Sequence, residues 1–570
     1  MDVRDLLSYQ PSLPAAGRHQ DHDEEGPQAK KPRVSVGRSS QSEGEEAGTS
    51  SDGTETVTSQ LVDEQAARRL LLRLERAVTR NRELRVKFPD SPDKFMASES
   101  ELFLAIKSMD ALSTETRLLR LAGDRCDLLL GCLSHENADV GCAAAAILRD
   151  WTDMDECEDE DDREQVIGLM RKLVQQQLIP LLITFVRRLD HEDEDRDEAD
   201  GVAHSLAIAE NLLDVDPDLV PAGTAESESL VQWLVQRIAR SGFSPNKLAA
   251  AEVLCILLQQ RPEHRNALVA PATDGMDVLL QQVAHYAKHQ PEGAEEQELL
   301  HNLLQALCYS LFRCPAGRSA FLTGEGMELM LLILRKSHTS RSGLKAGALK
   351  VLSYVLSPDG EVDESMTTSP PANESLLTAC CSRFVRISGL RLIFPIFLTP
   401  GSIVRTSHQI NLVEEQTLTI LLSMLRHCPP DQSRRIVAKF VEREFQKTER
   451  LLELHLKYHA RVCKFDQRLE AERDEDEDEE EIYCRRLADG GLFVLQLVDQ
   501  VLVLVVLLFD QFFSDHADQE SVRERLRKLL SLRPGPVDHW TRIRNVLSEQ
   551  ADHVDDNKEK THLLDLVARF

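Results

Sequence analysis

Three short patterns in the sequence have residue types that could bind a ligand or a metal, but each is incomplete. The first is Gly-Glu-Gly-Met-Glu-Leu at 324–329, which supplies two glycines of a dinucleotide-binding fingerprint. In that fingerprint closely spaced glycines let backbone amides approach a pyrophosphate after a strand. The third glycine is missing here, and the segment opens a helical pattern. We therefore interpret these glycines as structural.

The second pattern is an alternation of aspartates. Asp214, Asp216 and Asp218 have the spacing of the first ligands of a calcium-binding helix–loop–helix loop. Leu219 stands where that loop requires a glycine, and Ala225 stands where it requires a bidentate glutamate. The pattern therefore does not predict a calcium site.

The third pattern consists of two histidine pairs, His285 with His289 and His455 with His459. A spacing of four places two imidazoles on one helix face, where they could bind zinc. No carboxylate or cysteine completes either set at motif spacing, so surface or core histidines are the favoured interpretation. Phosphate-binding loops, nucleophile elbows and His-Glu-x-x-His motifs are also missing. We predict no enzyme activity, no metal and no cofactor.

The 570-residue chain has a formal net charge of −29, and most of that charge is local. Residues 155–164, 190–200 and 472–481 carry −7, −7 and −8. Such a charge argues against direct binding to nucleic acid or an anionic membrane, because polyanions would be repelled. The N-terminus lacks the apolar core of a signal peptide, and the cysteines are scattered, so we expect a soluble intracellular protein.

The elements that would have to position any site are helices. Aromatic residues make up only 5% of the chain, and leucine recurs at helical spacing. A pattern of paired helices repeats along the chain. When the ends of the second helices are aligned, the equivalent positions are Asp150, Asn211, Ile256, Tyr309 and Tyr354. Successive positions are 61, 45, 53 and 45 residues apart. Armadillo and HEAT units recur at about 40–47 residues. We predict an all-α, armadillo/HEAT-type, right-handed superhelical solenoid with N- and C-terminal helical caps.

The composition also predicts how the chain is divided. Residues 1–60 are interpreted as a disordered tail, and 61–119 as an N-terminal helical cap whose first helix has Ser59 in the N-cap role. Armadillo repeats are expected over 120–430, with a flexible insertion at 358–376. A C-terminal helical region over 431–570 would include one long charged helix from 432, an acidic loop at 472–481 and a buried core helix around 492–509.

Binding is the function class that remains. Armadillo repeats stack into a groove lined by the last helix of each unit, where a Trp and an Asn four residues later often grip an extended peptide. Asn211 keeps the Asn, but Ala207 replaces the Trp. Asp150, Glu210 and Glu252 would instead make the groove acidic and attractive to Lys/Arg-rich segments. The alternative is that these carboxylates cap helices or pair with neighbouring arginines.

A compact basic cluster in the tail, Lys30, Lys31, Pro32 and Arg33, fits a nuclear localisation signal. An incidental basic patch is the alternative.

Several long segments resemble the beta-catenin-like protein 1 family of nuclear armadillo proteins. They are MDVRDLLSYQP (1–11), ELRVKFPDSPDKFMASESEL (83–102), ADGVAHSLAIAENLLD (199–214), NKLAAAEVLCILLQ (246–259), FLTGEGMELMLLILR (321–335), GLRLIFPIF (389–397) and RRLADGGLFVLQ (485–496). The resemblance implies a nuclear, non-enzymatic scaffold associated with the spliceosome through the NineTeen complex. It implies binding to basic nuclear-localisation-type segments of partners, notably the Myb-domain, cell-division-cycle-5-like splicing factor. It also favours the nuclear-signal interpretation of the basic cluster.

Two other armadillo functions are less consistent with the sequence. A nuclear import adaptor for basic cargo signals should carry an arginine-rich arm and an intact Trp/Asn ladder, and this chain has neither. A cell-adhesion or signalling armadillo protein would present a basic groove to acidic tails, opposite to the charges found here. The oligomeric state stays open, with a homodimer as one of the states the sequence allows.

Overall fold

The computed structural model describes residues 63–113, 116–155, 157, 159–189, 195–220, 223–336, 343–358, 372–472, 479–513, 520–532 and 538–570. All regular elements in these segments are helices, and the described segments contain no β-strand. The all-α prediction is therefore confirmed. The predicted tail and most of the predicted insertion at 358–376 lie outside the described residues.

The helices fall into three consecutive groups. The N-terminal pair is α1 (Glu64–Lys87) and α2 (Met96–Lys107). The repeat region contains α3 (Thr116–Gly123), α4 (Cys126–Leu133), α5 (Ala138–Thr152), α6 (Glu160–Gln175), α7 (Leu178–Val186), α8 (Arg196–Val215), α9 (Ala225–Ala239), α10 (Pro245–Gln260), α11 (Pro262–Leu268), α12 (Gly275–Lys288), α13 (Gly293–Leu311), α14 (Pro315–Thr323), α15 (Gly326–Arg335), α16 (Leu344–Leu356), α17 (Ala372–Arg386), α18 (Leu390–Leu398) and α19 (Ser407–His427). The C-terminal group is α20 (Pro430–Glu472), α21 (Glu479–Ala488), α22 (Leu492–Phe513), α23 (Val522–Ser531), α24 (His539–Asp552) and α25 (Asn557–Arg569).

The helices stack in rows. One row, which we call the ladder helices, packs side by side in the order α2, α5, α8, α10, α13, α16, α19 and α22. A second row behind it follows the order α4, α7, α9, α12, α15, α18 and α20, and each of these helices contacts its ladder neighbour. The outer helices α3, α6, α11, α14 and α17 precede the second-row helices in most units. This arrangement confirms the armadillo-type solenoid, and it adds a unit ending in α19 to those aligned from the sequence.

Stacking is required because no unit can cover its own apolar surface. The ladder helix α13 has nine buried residues, six of them leucines, and it packs against α10 on one side and α16 on the other. Burying a leucine stabilises the fold by about 1.5–3 kcal/mol relative to exposing it. An isolated unit would lose this contribution on both flanks, so the units are stable only as neighbours in an array.

Helix starts are set by polar caps, and two of them differ from the sequence interpretation. Helix α1 begins at Glu64 because Asp63 accepts a hydrogen bond from the Ala66 amide at 2.6 Å. Ser59, predicted as the cap, lies outside the described residues. Helix α8 begins at Arg196 because Asp195 accepts from the Asp197 amide at 2.9 Å, so part of the second acidic run is helical.

The predicted acidic loop at 472–481 is wrong at both ends. Residue 472 closes α20, and residues 479–481 form the first turn of α21. Acidic residues are favourable in a first helical turn because they lie close to the positive end of the helix dipole.

The predicted single charged helix from 432 is also wrong, because α20 is interrupted at Glu442–Phe445. Arg443, Glu444 and Phe445 have φ values of 53°, 55° and 65°. The break lets Phe440 and Phe445 both be buried, and the Thr448 hydroxyl donates to the Phe440 carbonyl at 3.0 Å. No glycine or proline marks this position, so the sequence pattern gave no signal of the break.

Helix α22 is the core of the C-terminal region. By length and composition it could cross a membrane, with a mean hydropathy of 2.6 over its most apolar window, but 89% of that window is buried inside the protein. Its polar residues have partners: Asp499 lies 2.6 Å from Nδ1 of His455, and the Gln496 amide donates to the Tyr483 hydroxyl at 3.1 Å. The prediction of a buried core helix is confirmed.

Close packing between consecutive units makes a testable prediction at Gly317 in α14. A Cβ added there would lie 2.0 Å from the Ser310 carbonyl oxygen at the end of α13, and a backbone atom cannot easily move. We expect Gly317→Ala to lower the free energy of unfolding by about 1–3 kcal/mol, as overpacking usually does. Chemical denaturation followed by circular dichroism would measure the change.

The matched control is Gly168→Ala in α6, where an added Cβ meets nothing within 4 Å. This variant should be neutral or more stable by about 0.5–1 kcal/mol, because alanine loses less backbone entropy in a helix. Equal stabilities for the two variants would contradict the close approach of α13 and α14.

Candidate functional site

The ladder helices leave one narrow stripe each partly exposed, and we call the combined surface the ladder face. Neighbouring ladder helices cover both flanks of each helix and the second row covers its back, so only positions spaced by about four residues stay open. The stripes place the aligned positions side by side: Asp150 on α5, Asn211 on α8, Ile256 on α10, Tyr309 on α13 and Tyr354 on α16. Glu415 on α19 continues the series.

Asp150 is held in an ion pair within its own helix. Its carboxylate accepts a hydrogen bond from Nε of Arg149 at 2.9 Å. Burial raises the pKa of Asp150, although the Arg149 guanidinium acts in the opposite direction. Arg149 also approaches His204 on α8 at 3.0 Å, and burial together with that guanidinium lowers the pKa of His204 to about 4. At this end of the face the carboxylate already has a cation.

Asn211 bridges two ladder helices. Its side-chain amide donates to the Thr152 hydroxyl of α5 at 3.2 Å, while that hydroxyl donates to the Leu148 carbonyl at 2.9 Å. Asn211 is partly exposed, so the bridge lies at the edge of the ladder face. The residue predicted to bind a peptide therefore also links neighbouring repeats.

Glu210 on α8 and Glu252 on α10 are both partly exposed on adjacent ladder helices.

The absence of a tryptophan ladder is confirmed: the chain has three tryptophans, and Trp151, which lies on a ladder helix, is only 1% exposed. The other two, Trp233 and Trp540, lie on α9 and α24, which are not ladder helices. The structure thus brings the four predicted groove residues onto three adjacent helices, and all four make interactions within the protein.

The sequence interpretation missed the polar residues farther along the face. The Lys350 ammonium on α16 donates to Oε1 of Gln305 on α13 at 2.7 Å. Glu415 on α19 is partly exposed, and burial raises its pKa to about 7 while Lys350 acts in the opposite direction. Continuing the repeat alignment beyond Tyr354 across the insertion would have brought the α19 unit, and Glu415 with it, onto the face.

The other sequence candidates lie away from the ladder face. His285 and His289 are exposed on or next to α12 and stack at 4.5 Å between ring centroids. His455 and His459 are buried in α20, where Nε2 of His455 lies 3.2 Å from Nδ1 of His539. Within the described segments, no group of three or more His, Cys, Asp or Glu residues is arranged to hold a metal. The cluster Lys30, Lys31, Pro32 and Arg33 lies outside the described residues.

The stacked triplets and the open polar stripe that they leave define an armadillo-type helical repeat protein with a surface long enough for an extended segment. Comparison with known proteins gives the family. The family model described as "Catenin-beta-like, Arm-motif containing nuclear" matches residues 46–547, and the chain belongs to this family.

The curated relatives agree with this assignment. Beta-catenin-like protein 1 of Homo sapiens is 34% identical over 530 residues, covering 89% of this chain and 86% of the relative. The Beta-catenin-like protein 1 homolog of Schizosaccharomyces pombe is 30% identical over 437 residues, covering 75% and 70%. Among solved structures, that of Uso1-2 superposes with a TM-score of 0.49 at 12% identity, covering 90% of this chain and 79% of that one.

The bridge between α8 and α5 predicts an energetic coupling between Asn211 and Thr152. Asn211→Ala should lower the free energy of unfolding by about 0.5–1.5 kcal/mol, the usual net contribution of a hydrogen bond. In a double-mutant cycle with Thr152→Val, part of this cost should disappear, since the hydrogen bond is already lost. Chemical denaturation of the four proteins gives the coupling.

Thr417→Val in α19 is the matched control for this cycle, because the buried Thr417 hydroxyl donates only to carbonyls of its own helix. Its effect should add to that of Asn211→Ala. Full additivity with Thr152→Val as well would rule out the bridge.

Proposed function

We propose that this protein is a non-enzymatic nuclear scaffold in pre-mRNA splicing that binds basic, nuclear-localisation-type segments of its partners along the ladder face. The observation that supports the proposal most is membership of a family described as nuclear and armadillo-containing, combined with carboxylates on an open ladder face. Glu210 and Glu252 are the residues we expect to contact the segment.

The physical basis of the proposed binding is charge-assisted hydrogen bonding between basic side chains of the partner and partly exposed carboxylates of the ladder face. Lys and Arg side chains bind carboxylates more strongly than neutral donors do, and Arg can do so with two parallel hydrogen bonds. The formal charge of −29 would also steer basic segments toward the protein, an effect that salt screens. Asp150, Glu210 and Glu252 all interact within the protein, so a basic segment would have to compete with those interactions.

The proposed partners are proteins of the spliceosome-associated NineTeen complex, above all the Myb-domain, cell-division-cycle-5-like splicing factor. The proposed location is the nucleus, in agreement with the family description. Residues 30–33 precede the region matched by the family model, so import through Lys30, Lys31 and Arg33 would use a segment separate from the array.

Charge reversal on the ladder face tests the binding. The double variant Glu210→Lys, Glu252→Lys should weaken the affinity for a Lys/Arg-rich peptide by roughly tenfold or more, since two attractions become repulsions. The wild-type affinity should itself fall steeply between roughly 50 and 300 mM salt. Fluorescence anisotropy with a labelled peptide would measure both effects.

The matched control is Glu164→Lys, Glu263→Lys, which changes the net charge equally at exposed positions of the outer helices α6 and α11. This control should bind almost as the wild type does. An equal loss in both double variants would attribute the effect to overall charge and exclude the ladder face as the site.

Affinity purification from nuclease-treated nuclear extract tests the proposed assembly. The tagged full-length protein should recover the Myb-domain splicing factor and other NineTeen proteins, identified by mass spectrometry, because nuclease treatment leaves contacts between proteins intact. Recovery of transport carriers with diverse basic cargo, and of no splicing factors, would instead indicate an import adaptor.

A further inference from the structure

Two adjacent glutamates on α19 have opposite surroundings. Glu414 is 3% exposed, and its carboxylate accepts hydrogen bonds from Arg450 at 2.8 Å, from Lys457 at 2.6 Å and from the Tyr458 hydroxyl at 2.8 Å. Glu415 points to the ladder face, and the described residues give its carboxylate no hydrogen bond or ion pair. A shielded carboxylate without a partner is costly to the fold. Such a group is a candidate for a contact that is completed by a ligand.

The surroundings of Glu415 on the ladder face are aromatic. Tyr354 on α16 is close enough for its ionisation to be influenced by both Glu415 and Tyr309 of α13. Both tyrosines are partly exposed, and they occupy equivalent positions of consecutive ladder helices. Aromatic faces attract Lys and Arg cations, more strongly where water is excluded. Lys350, the cation of this region, is directed to Gln305 by its hydrogen bond of 2.7 Å.

We propose that Glu415, together with Tyr354 on the adjacent ladder helix, forms a subsite of the ladder face that receives one Lys or Arg side chain of a bound basic segment. This subsite rests on the proposed function and adds to it the position of a cation-binding subsite three repeat units beyond Glu252 and four beyond Glu210. The carboxylate supplies the counter-charge, and the Tyr354 ring supplies a flanking surface for the alkyl stem and the cation.

The subsite makes peptide affinity depend on pH. Only the ionised carboxylate attracts a cation, and the raised pKa of Glu415, about 7, means that a large fraction is protonated below neutral pH. Binding should therefore strengthen as the pH rises from about 6 to about 8, by up to roughly tenfold, and then level off. Lys and Arg of the peptide stay charged throughout this range.

The other groups that face Glu415 should not produce the same dependence. On α16 they are Lys350 and Tyr354, and on α20 the group is Tyr458. Burial raises the pKa of Tyr354 and of Tyr458, so both phenols stay protonated at neutral pH. Burial lowers the pKa of His301 on α13, and Lys350 acts in the same direction.

The experiment measures binding of a labelled peptide containing about five Lys or Arg residues to the full chain, at constant ionic strength and several pH values between about 6 and 8. Wild-type affinity should rise with pH. Glu415→Gln should bind with the weak affinity of the low-pH wild type at every pH. The control Glu263→Gln, on the outer helix α11, should keep the wild-type rise.

The outcomes separate this subsite from the proposed function. If Glu415→Gln keeps both the affinity and the rise with pH, the subsite is wrong, while loss of binding in the Glu210/Glu252 variant would still support the ladder face. If affinity falls as pH rises, the site prefers an anion and the subsite is also wrong. If the wild type binds no basic peptide at about pH 8, both proposals fail.

A measurement without ligand checks that Glu415 has the surroundings described. A carboxyl whose pKa is raised in the folded state makes stability fall as pH rises from its unfolded pKa, about 4.5, to its folded pKa, about 7. Glu415→Gln should therefore unfold at a higher temperature than the wild type at about pH 8, and the gap should shrink toward pH 5. A variant that is less stable than the wild type at about pH 8 would show a stabilising partner for Glu415 and overturn the subsite.

Discussion

Each ladder helix must have both flanks covered by the next units, and the rest of the structure depends on this requirement. Side-by-side packing from α2 to α22 removes most of every ladder helix from water and leaves a single stripe. Because the stripes of neighbouring ladder helices lie side by side, the residues in them together form one continuous face. A substitution that only changes polarity there should leave the packing of the units intact, whereas one that changes the spacing between helices, as at Gly317 in α14, should alter the array.

The last repeat unit has no further unit to cover its apolar flank, so another element must cover it. The C-terminal helices do this, and buried polar contacts join them to α19. Glu414 of α19 accepts hydrogen bonds from three side chains of α20, and Asp499 of α22 lies against His455 of α20. Charged groups this deeply buried stabilise a fold only when their partners are in place. They therefore fix the register of the cap on the last repeat unit, and the same register determines that Glu415, one residue later, opens onto the ladder face.

The sequence was sufficient to predict the features that follow from periodic burial, namely the helices and their repeats. It was not sufficient to predict features that depend on one particular side-chain contact. Leucine spacing and recurring positions such as Tyr309 and Tyr354 were sufficient to predict the repeats, because every unit repeats the same burial. The break at Glu442–Phe445 depends on the burial of two phenylalanines and carries no glycine or proline. At the site, the alignment placed Asp150 and Asn211 correctly on the ladder helices. Their partners, Arg149 and Thr152, could not be inferred, because spacing does not show which way a side chain turns.

The apolar character of α22 has a consequence for the synthesis of the chain. A helix with this hydropathy resembles a membrane-insertion signal while it leaves the ribosome. Two of its covering helices, α19 and α20, are made earlier and contact it in the finished protein, whereas α24 and α25 follow. The order of elements along the chain thus supplies two of the covering helices of α22 before α22 itself is made.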